Sequence, residues 1–290
     1  VHRTSPSAAA VLGPYVAAQV AIIARLDPLV RLGDPDAIHD MRVAVRRLKA
    51  VLAAYRSAFE PATGRELRAE LDWLAETLGQ ARDHEVQRLL LLDVSDKAGI
   101  AQVDAADRAM GIKAQAALSA ALMSARYRVL TQELARFGAS PAWTPAARQK
   151  ARKVLLPSLG KQFARVESRV ASARKTSSQA KVDERLHRVR KSVKRARYAT
   201  EAVDPILRAA NIAKQLSTTQ DVLGLHNDLV VTRSNAARWR ELGVTSLEGA
   251  GLDRLDERAR ATRKQARRAL TSLREVVAAT RPTLDVTLQR

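Results

Sequence analysis

Apolar residues recur along this chain at spacings of three and four, the signature of helices with one buried face; no useful period-2 run marks a strand. The first apolar stretch, Ala8 to Leu26, holds Gly13-Pro14 and Gln19 and reads as a core helix. Asp34-Pro35 starts a second helix, with Asp34 as cap and Pro35 at the first helical position, which is expected to run to about Phe59. Ala62 to Leu78 follows as a third, with Gly79 as its stop. Further helices are expected over 83–94, 103–137, 144–174, 182–203, 205–223, 227–241 and 252–279. The Ser140–Pro145 stretch breaks the pattern near the middle, and Lys175–Gln179 reads as a polar linker.

The pattern repeats. His39-Asp40-Met41-Arg42-Val43-Ala44-Val45-Arg46-Arg47-Leu48-Lys49 returns as His187-Arg188-Val189-Arg190-Lys191-Ser192-Val193-Lys194-Arg195-Ala196-Arg197, an offset of 148 positions. Leu78-Gly79-x-x-Arg82-Asp83 returns as Leu223-Gly224-x-x-Asn227-Asp228, an offset of 145. Two landmarks at nearly one offset divide the chain into homologous helical halves, residues 1–140 and 141–290. The expected fold class is therefore all-α.

On a helical wheel, His39, Arg42, Arg46 and Lys49 fall within about 80° of arc, and His187, Arg190, Lys194 and Arg197 take the same angles. Lys191 and Arg195 widen the second stripe, Arg195 matching Arg47. Met41, Val45, Leu48, Leu52, Tyr55 and Phe59 form the adjoining core face. A solvated stripe usually mixes Glu with Lys at i, i+4. Here no acid lies between Arg42 and Lys49, and like charges stack beside the core face. Such a stripe suits the wall of a groove filled by a polyanion. If the halves pack about a pseudo-two-fold, both stripes face one channel, each spanning roughly 15 Å. Glu201, one turn beyond Arg197, is placed to orient it.

Composition agrees with this reading. Fifty Lys and Arg against thirty Asp and Glu leave a formal charge of +20, which calls for an anionic partner. Aromatics are only 3%, while 46% of residues are hydrophobic, too apolar for a disordered polycation. The absence of cysteine excludes disulfides, thiolate metal sites and a Cys nucleophile. No run of eighteen uncharged apolar residues occurs, so no membrane partner is expected.

The other candidates read more plainly. No His-x-x-x-His spacing points to a metal, and Asp34-Pro35-Asp36 reads as a helix start. His39 and His187 suit a phosphate donor beside Arg or a structural role. Asp83 and Asp228 read first as helix N-caps, and second as carboxylates that fix an arginine of the stripe. The cluster Arg254, Arg258, Arg260, Arg263, Lys264, Arg267 and Arg268 reads as a solvated helix face. With no P-loop, acidic metal cluster or activated nucleophile, no catalytic residue and no cofactor is assigned. A nucleic-acid reader is the alternative class. The stripes, however, carry no Asn or Gln for adenine, and only Tyr198 for stacking.

The paired motifs resemble the CHAD family, the conserved-histidine α-helical domain, over almost the whole chain. The resemblance implies two helical bundles about a pseudo-two-fold with a basic central channel. It also implies binding of inorganic polyphosphate, without catalysis, at polyphosphate granules in the cytoplasm. The binding residues it implies are His39, Arg42, Arg46, Arg47, Lys49, His187, Arg190, Lys191, Lys194, Arg195 and Arg197. Histidine-based metal or phosphate handling is the rival reading within the family. A fused or separate CYTH-type triphosphatase is an implied partner, although its Glu-x-Glu-x-Lys motif does not occur in this chain. Asn227, where the first half has Arg82, departs from the repeat.

Overall fold

The computed structural model describes residues 5–176 and 178–286. Among them no strand forms beyond two isolated bridges, Ser7 to Lys150 and Phe59 to Trp143. The chain is an all-α fold. Its helices are α1 (Ala8–Arg31), α2 (Pro35–Ala54), α3 (Pro61–Leu92), α4 (Lys97–Met123), α5 (Ala125–Ala139), α6 (Ala151–Arg174), α7 (Gln179–Ala202), α8 (Asp204–Leu207), α9 (Ala210–Ser234), α10 (Ala236–Glu241) and α11 (Ala250–Val286).

The start of α2 follows from local chemistry: the Asp34 carboxylate accepts from the Ala37 N–H at 2.8 Å, and Pro35 supplies the first helical φ. Its end comes earlier than Phe59. Tyr55 caps α2 and sends its hydroxyl to the Ala199 carbonyl on α7 at 2.7 Å. Phe59 then stacks on Trp143, ring centroids 5.0 Å apart, at the 140–145 break. The single helix expected over 103–137 is two, because Ser124 leaves helical geometry and caps the Tyr127 N–H. The polar linker falls between α6 and α7, with Ser177 outside the described residues.

Two glycines do not stop helices as the sequence reading expects. Gly79 lies inside α3 and Gly224 inside α9.

α1 has the length and mean hydropathy to cross a bilayer, but here Val11, Leu12, Val16, Ile23 and Val30 are buried and the helix packs on α2, α5 and α6. α2 packs on α1, α3 and α7; α7 packs on α6 and α9; α9 packs on α11. The main core draws on both sides of residue 140: Met41, Val45, Leu48, Leu71 and Leu78 belong to the same cluster as Val189, Val193, Leu223 and Leu270. A smaller cluster joins the ends of α3 and α4 to α9, α10 and α11 around Trp239.

The basic cluster of α11 is a solvated face only in part: Arg260, Lys264 and Arg268 are exposed, while the other members are tied to neighbouring segments. Arg254 donates to the Val94 carbonyl, Arg258 to Asp93, and Arg267 to the Thr176 carbonyl. Arg263 grips Asp183 of α7 through two hydrogen bonds, at 2.6 and 2.9 Å. These four side chains fasten the long helix to its neighbours.

Candidate functional site

α2 and α7 lie against each other in the middle of the fold, and α3 and α9 also touch. Between these four helices is a cleft of about 530 Å³. From α2 come His39, Arg42 and Arg46; from α7, Arg190 and Lys194. α3 contributes Arg82, Asp83, Val86 and Gln87, and α9 contributes Gln220, Asp221, Gly224, Leu225, Asn227, Asp228 and Val231. Arg42 with Arg190, and Arg46 with Lys194, are the equivalent positions of the sequence repeat.

The mid-helix glycines explain how the arginines fit. A Cβ on Gly79 would stand 3.6 Å from the Arg42 guanidinium, and one on Gly224 would stand 3.7 Å from the Arg190 Nε. Each arginine thus lies against the bare backbone of the facing helix. Arg42 Nη1 donates to Asp83 at 2.8 Å and, more weakly, to the Gly79 carbonyl at 3.5 Å. Asp83 is therefore no N-cap; it holds an arginine of the stripe. Asp228 is also inside its helix, where it accepts from Asn227 and is the carboxylate that acts on Lys194. The Nε atoms of Arg42 and Arg190 and the Oε1 of Gln220 are buried without a hydrogen-bond partner.

Charge is crowded here. Burial, then Arg190, Arg46 and Arg42, push the Lys194 ammonium down to about 6, with Asp228 opposing the shift. Burial and Arg42 bring the Arg46 guanidinium down to about 10. A cleft of this kind stores repulsion that an entering anion removes.

The other stripe residues lie outside the cleft. Arg47 and Arg197 share the Glu201 carboxylate at 3.1 and 2.9 Å, with the Tyr198 ring beside both guanidinium groups. Tyr15 of α1 donates to the same carboxylate, so burial and Glu201 raise its phenol. Lys49 pairs with Asp72 on α3. Burial, then Arg165 and Arg68, lower the Arg195 guanidinium. Lys191 is exposed. His187 also departs from its counterpart: its Nδ1 bonds Asn227, whereas His39 lines the cleft. Asn227 stands where the first half has Arg82, and Arg82 pairs with Glu85 at 2.6 Å.

Sequence reasoning missed Arg82, Gln87 and Gln220 as lining residues, since they sit on helices the stripe only faces. Two more histidines, His84 and His226, are structural. His84 bonds Asp107 at 2.7 Å; His226 is buried between Asp183 and Thr262, and burial lowers it. Among the described residues no three His, Asp or Glu side chains are grouped to hold a metal ion.

These placements carry one test. Replacing Glu201 with Gln leaves Arg47 and Arg197 facing each other without a counter-charge between α2 and α7. The pairs are partly exposed, so urea unfolding should show a loss of about 1–3 kcal/mol, between surface and buried limits. Binding at the cleft should change little; a large change in ligand affinity would put Arg47 and Arg197 back among the ligand contacts.

Comparison with known proteins adds the following. The family model described as the CHAD domain matches residues 14–237. Two curated relatives, the uncharacterized proteins Rv2226 and MT2285 of two Mycobacterium tuberculosis strains, are each 30% identical over 232 residues. The match covers 76% of this chain and 44% of each relative, so the chain spans less than half their length. Among solved structures, the CHAD domain from the plant Ricinus communis superposes with a TM-score of 0.75 at 25% identity, over 95% of this chain and 93% of that one. PptA from Streptomyces chartreusis gives 0.69 at 21% identity, over 99% and 100%, a likeness of fold.

Proposed function

The chain belongs to the CHAD family, and from that premise we propose that it is a non-catalytic module that binds inorganic polyphosphate in the cleft between α2, α3, α7 and α9. One observation carries the reading: Arg42, Arg46, Arg190 and Lys194, from matching positions of the repeat, converge on one cavity, where burial and then the three arginines depress Lys194. Only Asp83, Asp221 and Asp228 line that cavity as carboxylates, and Asp83 is already taken by Arg42. A linear chain with one negative charge per unit offsets several such cations at once, which a lone phosphate does not.

His39 lies among the binding residues in this reading; Arg47, Lys49 and Arg197 act behind the cleft in ion pairs with Glu201 and Asp72, and Arg195 lies outside it near Arg165 and Arg68. The two halves, 1–140 and 141–290, are related by a pseudo-two-fold that passes near the cleft. The module works in the cytoplasm, at polyphosphate granules, beside a CYTH-type triphosphatase fused to it or separate.

The test is competition binding among long-chain polyphosphate, single-stranded DNA and double-stranded DNA at one fixed salt concentration. Polyphosphate should win. If about five of the lining cations each neutralise a phosphate, affinity should fall roughly 10²-fold between about 50 and 200 mM salt, taking a slope near −0.7 per contact. A flat salt response, or a preference for either DNA, would sink the reading. Steady phosphate release from polyphosphate with Mg²⁺, lost on Arg42→Ala, would overturn the non-catalytic part.

A further inference from the structure

Two more cavities adjoin the central cleft, and they differ in charge. One, of about 470 Å³, lies between α3, α4, α9 and α10 and shares Asp83, Gln87 and Val231 with the cleft. The other, of about 710 Å³, lies between α7, α9 and α11 and shares Asn227 and Val231. Val231, 41% exposed, stands where all three meet.

Building on the polyanion reading above, we propose that a chain longer than the cleft leaves it past Gln87 into the α3–α4–α10 cavity, where Lys113 and Arg238 bind its next phosphates. Charge selects this exit. Lys113 and Arg238 are exposed, line that cavity and form no ion pair among the described residues. Its one lining carboxylate, Asp83, is paired with Arg42 at 2.8 Å, and His84 is occupied by Asp107. An anion entering there meets uncompensated positive charge.

The opposite cavity offers a smaller gain. Asp183, Glu184 and Asp256 line it against Arg233, Arg260 and Arg263. Arg263 is held by Asp183, Arg233 by Asp256, and Glu184 by Arg188. A polyanion turning that way meets a single cation unpaired among the described residues, Arg260, and passes three carboxylates that cost it desolvation and repulsion.

Gln87 lines both the cleft and the favoured cavity, and its side chain is held by three hydrogen bonds. Gln87 Oε1 accepts from Asn235 Nδ2 at 3.0 Å and from the indole N–H of buried Trp239 at 3.1 Å. Its own amide donates to the Asp83 carbonyl at 3.1 Å.

The experiment compares long-chain polyphosphate with tripolyphosphate on the wild type, on the double variant Lys113→Gln/Arg238→Gln, and on Arg260→Gln. For the double variant, long-chain affinity should fall roughly tenfold and its salt slope should become shallower by about 1–2. Tripolyphosphate, accommodated by the cleft alone, should bind the double variant as it binds the wild type. Arg260→Gln should leave both ligands unaffected. The exit is wrong if the double variant holds long chains normally, if it loses both ligands equally, or if Arg260→Gln carries the loss. Failure of the wild type to bind long chains at all would instead overturn the polyphosphate reading itself, and this inference with it.

Discussion

Polyphosphate should bind more weakly as the pH rises from about 6 to about 8, by up to roughly tenfold per pH unit, the limit for a single linked proton. The source is Lys194. Three guanidinium groups, Arg42, Arg46 and Arg190, press on it, and none of them gives up a proton readily. Burial first, and then the repulsion of these three groups, holds the lysine at about 6 before an anion enters. A phosphate chain beside it favours the ammonium and raises its pKa in the complex. The complex therefore holds more proton than the free protein across this range. Binding takes a proton up, and affinity is greatest below about 6.

The stability of the free protein should run the other way. In the unfolded chain Lys194 returns toward its ordinary 10.5, so between about 6 and 10.5 the unfolded state binds more protons. Lys194 thus makes unfolding harder as the pH rises through that window, while it makes binding weaker. Calorimetry in two buffers of different ionisation heat would count the proton. Lys194→Arg should still bind but lose the uptake, since arginine keeps its charge. A His39→Gln background takes the cleft histidine out of the comparison. If Lys194→Arg shows the full pH dependence of the wild type, the assignment to Lys194 is wrong.

Arg46→Gln should cost about 1–3 kcal/mol of polyphosphate binding, the range for a hydrogen bond to a charged group, without loss of stability. Arg46 is a charge held under strain: burial and Arg42 lower it to about 10. Removing that charge relieves the free protein and deprives only the complex. Two residues along the same helix the sign reverses. Leu48 is fully buried in the main core, and Leu48→Ala should lower unfolding free energy by about 2–5 kcal/mol through lost contact and a cavity. Its folded fraction should bind polyphosphate normally. Denaturant melts and binding isotherms on the two variants separate the faces of α2. An Arg46→Gln protein that unfolds readily yet binds normally when folded would make the stripe structural.

How much of this was legible in the sequence depended on whether a signal was local. The α2 start, the all-α class and the repeat were all readable, because a cap, a periodicity and a self-match need no neighbour. The core face of α2 was readable too: Met41, Val45, Leu48, Leu52 and Tyr55 are all buried. What the wheel could not do was assign neighbours. It placed Lys49 and Arg197 beside Arg46 and Lys194, but a turn further along the helix a different partner is met: Asp72 for one, Glu201 for the other. Glu201 beside Arg197 was foreseen because it lies four residues away on one helix; its bond to Arg47 crosses two helices and left no trace. The glycines misled for the same reason. Gly79 looked like a stop because helix propensity is judged along a chain, whereas its purpose is set by Arg42 on another helix.

Those glycines mark a place where optimisation for heat resistance and retention of the ligand part company. A mid-helix glycine costs about 1 kcal/mol against alanine. At Gly79 and Gly224 the space for a methyl group exists, with the nearest arginine atoms 3.6 and 3.7 Å away. A redesign scored on melting temperature would choose these two positions early and be rewarded for alanine. Its next step, a leucine or glutamate at the same sites, would displace the guanidinium groups from the backbone they lie on. The protein so improved would keep its shape and lose the furrow its arginines rest in, so an engineer seeking a hardier version has reason to leave both positions bare.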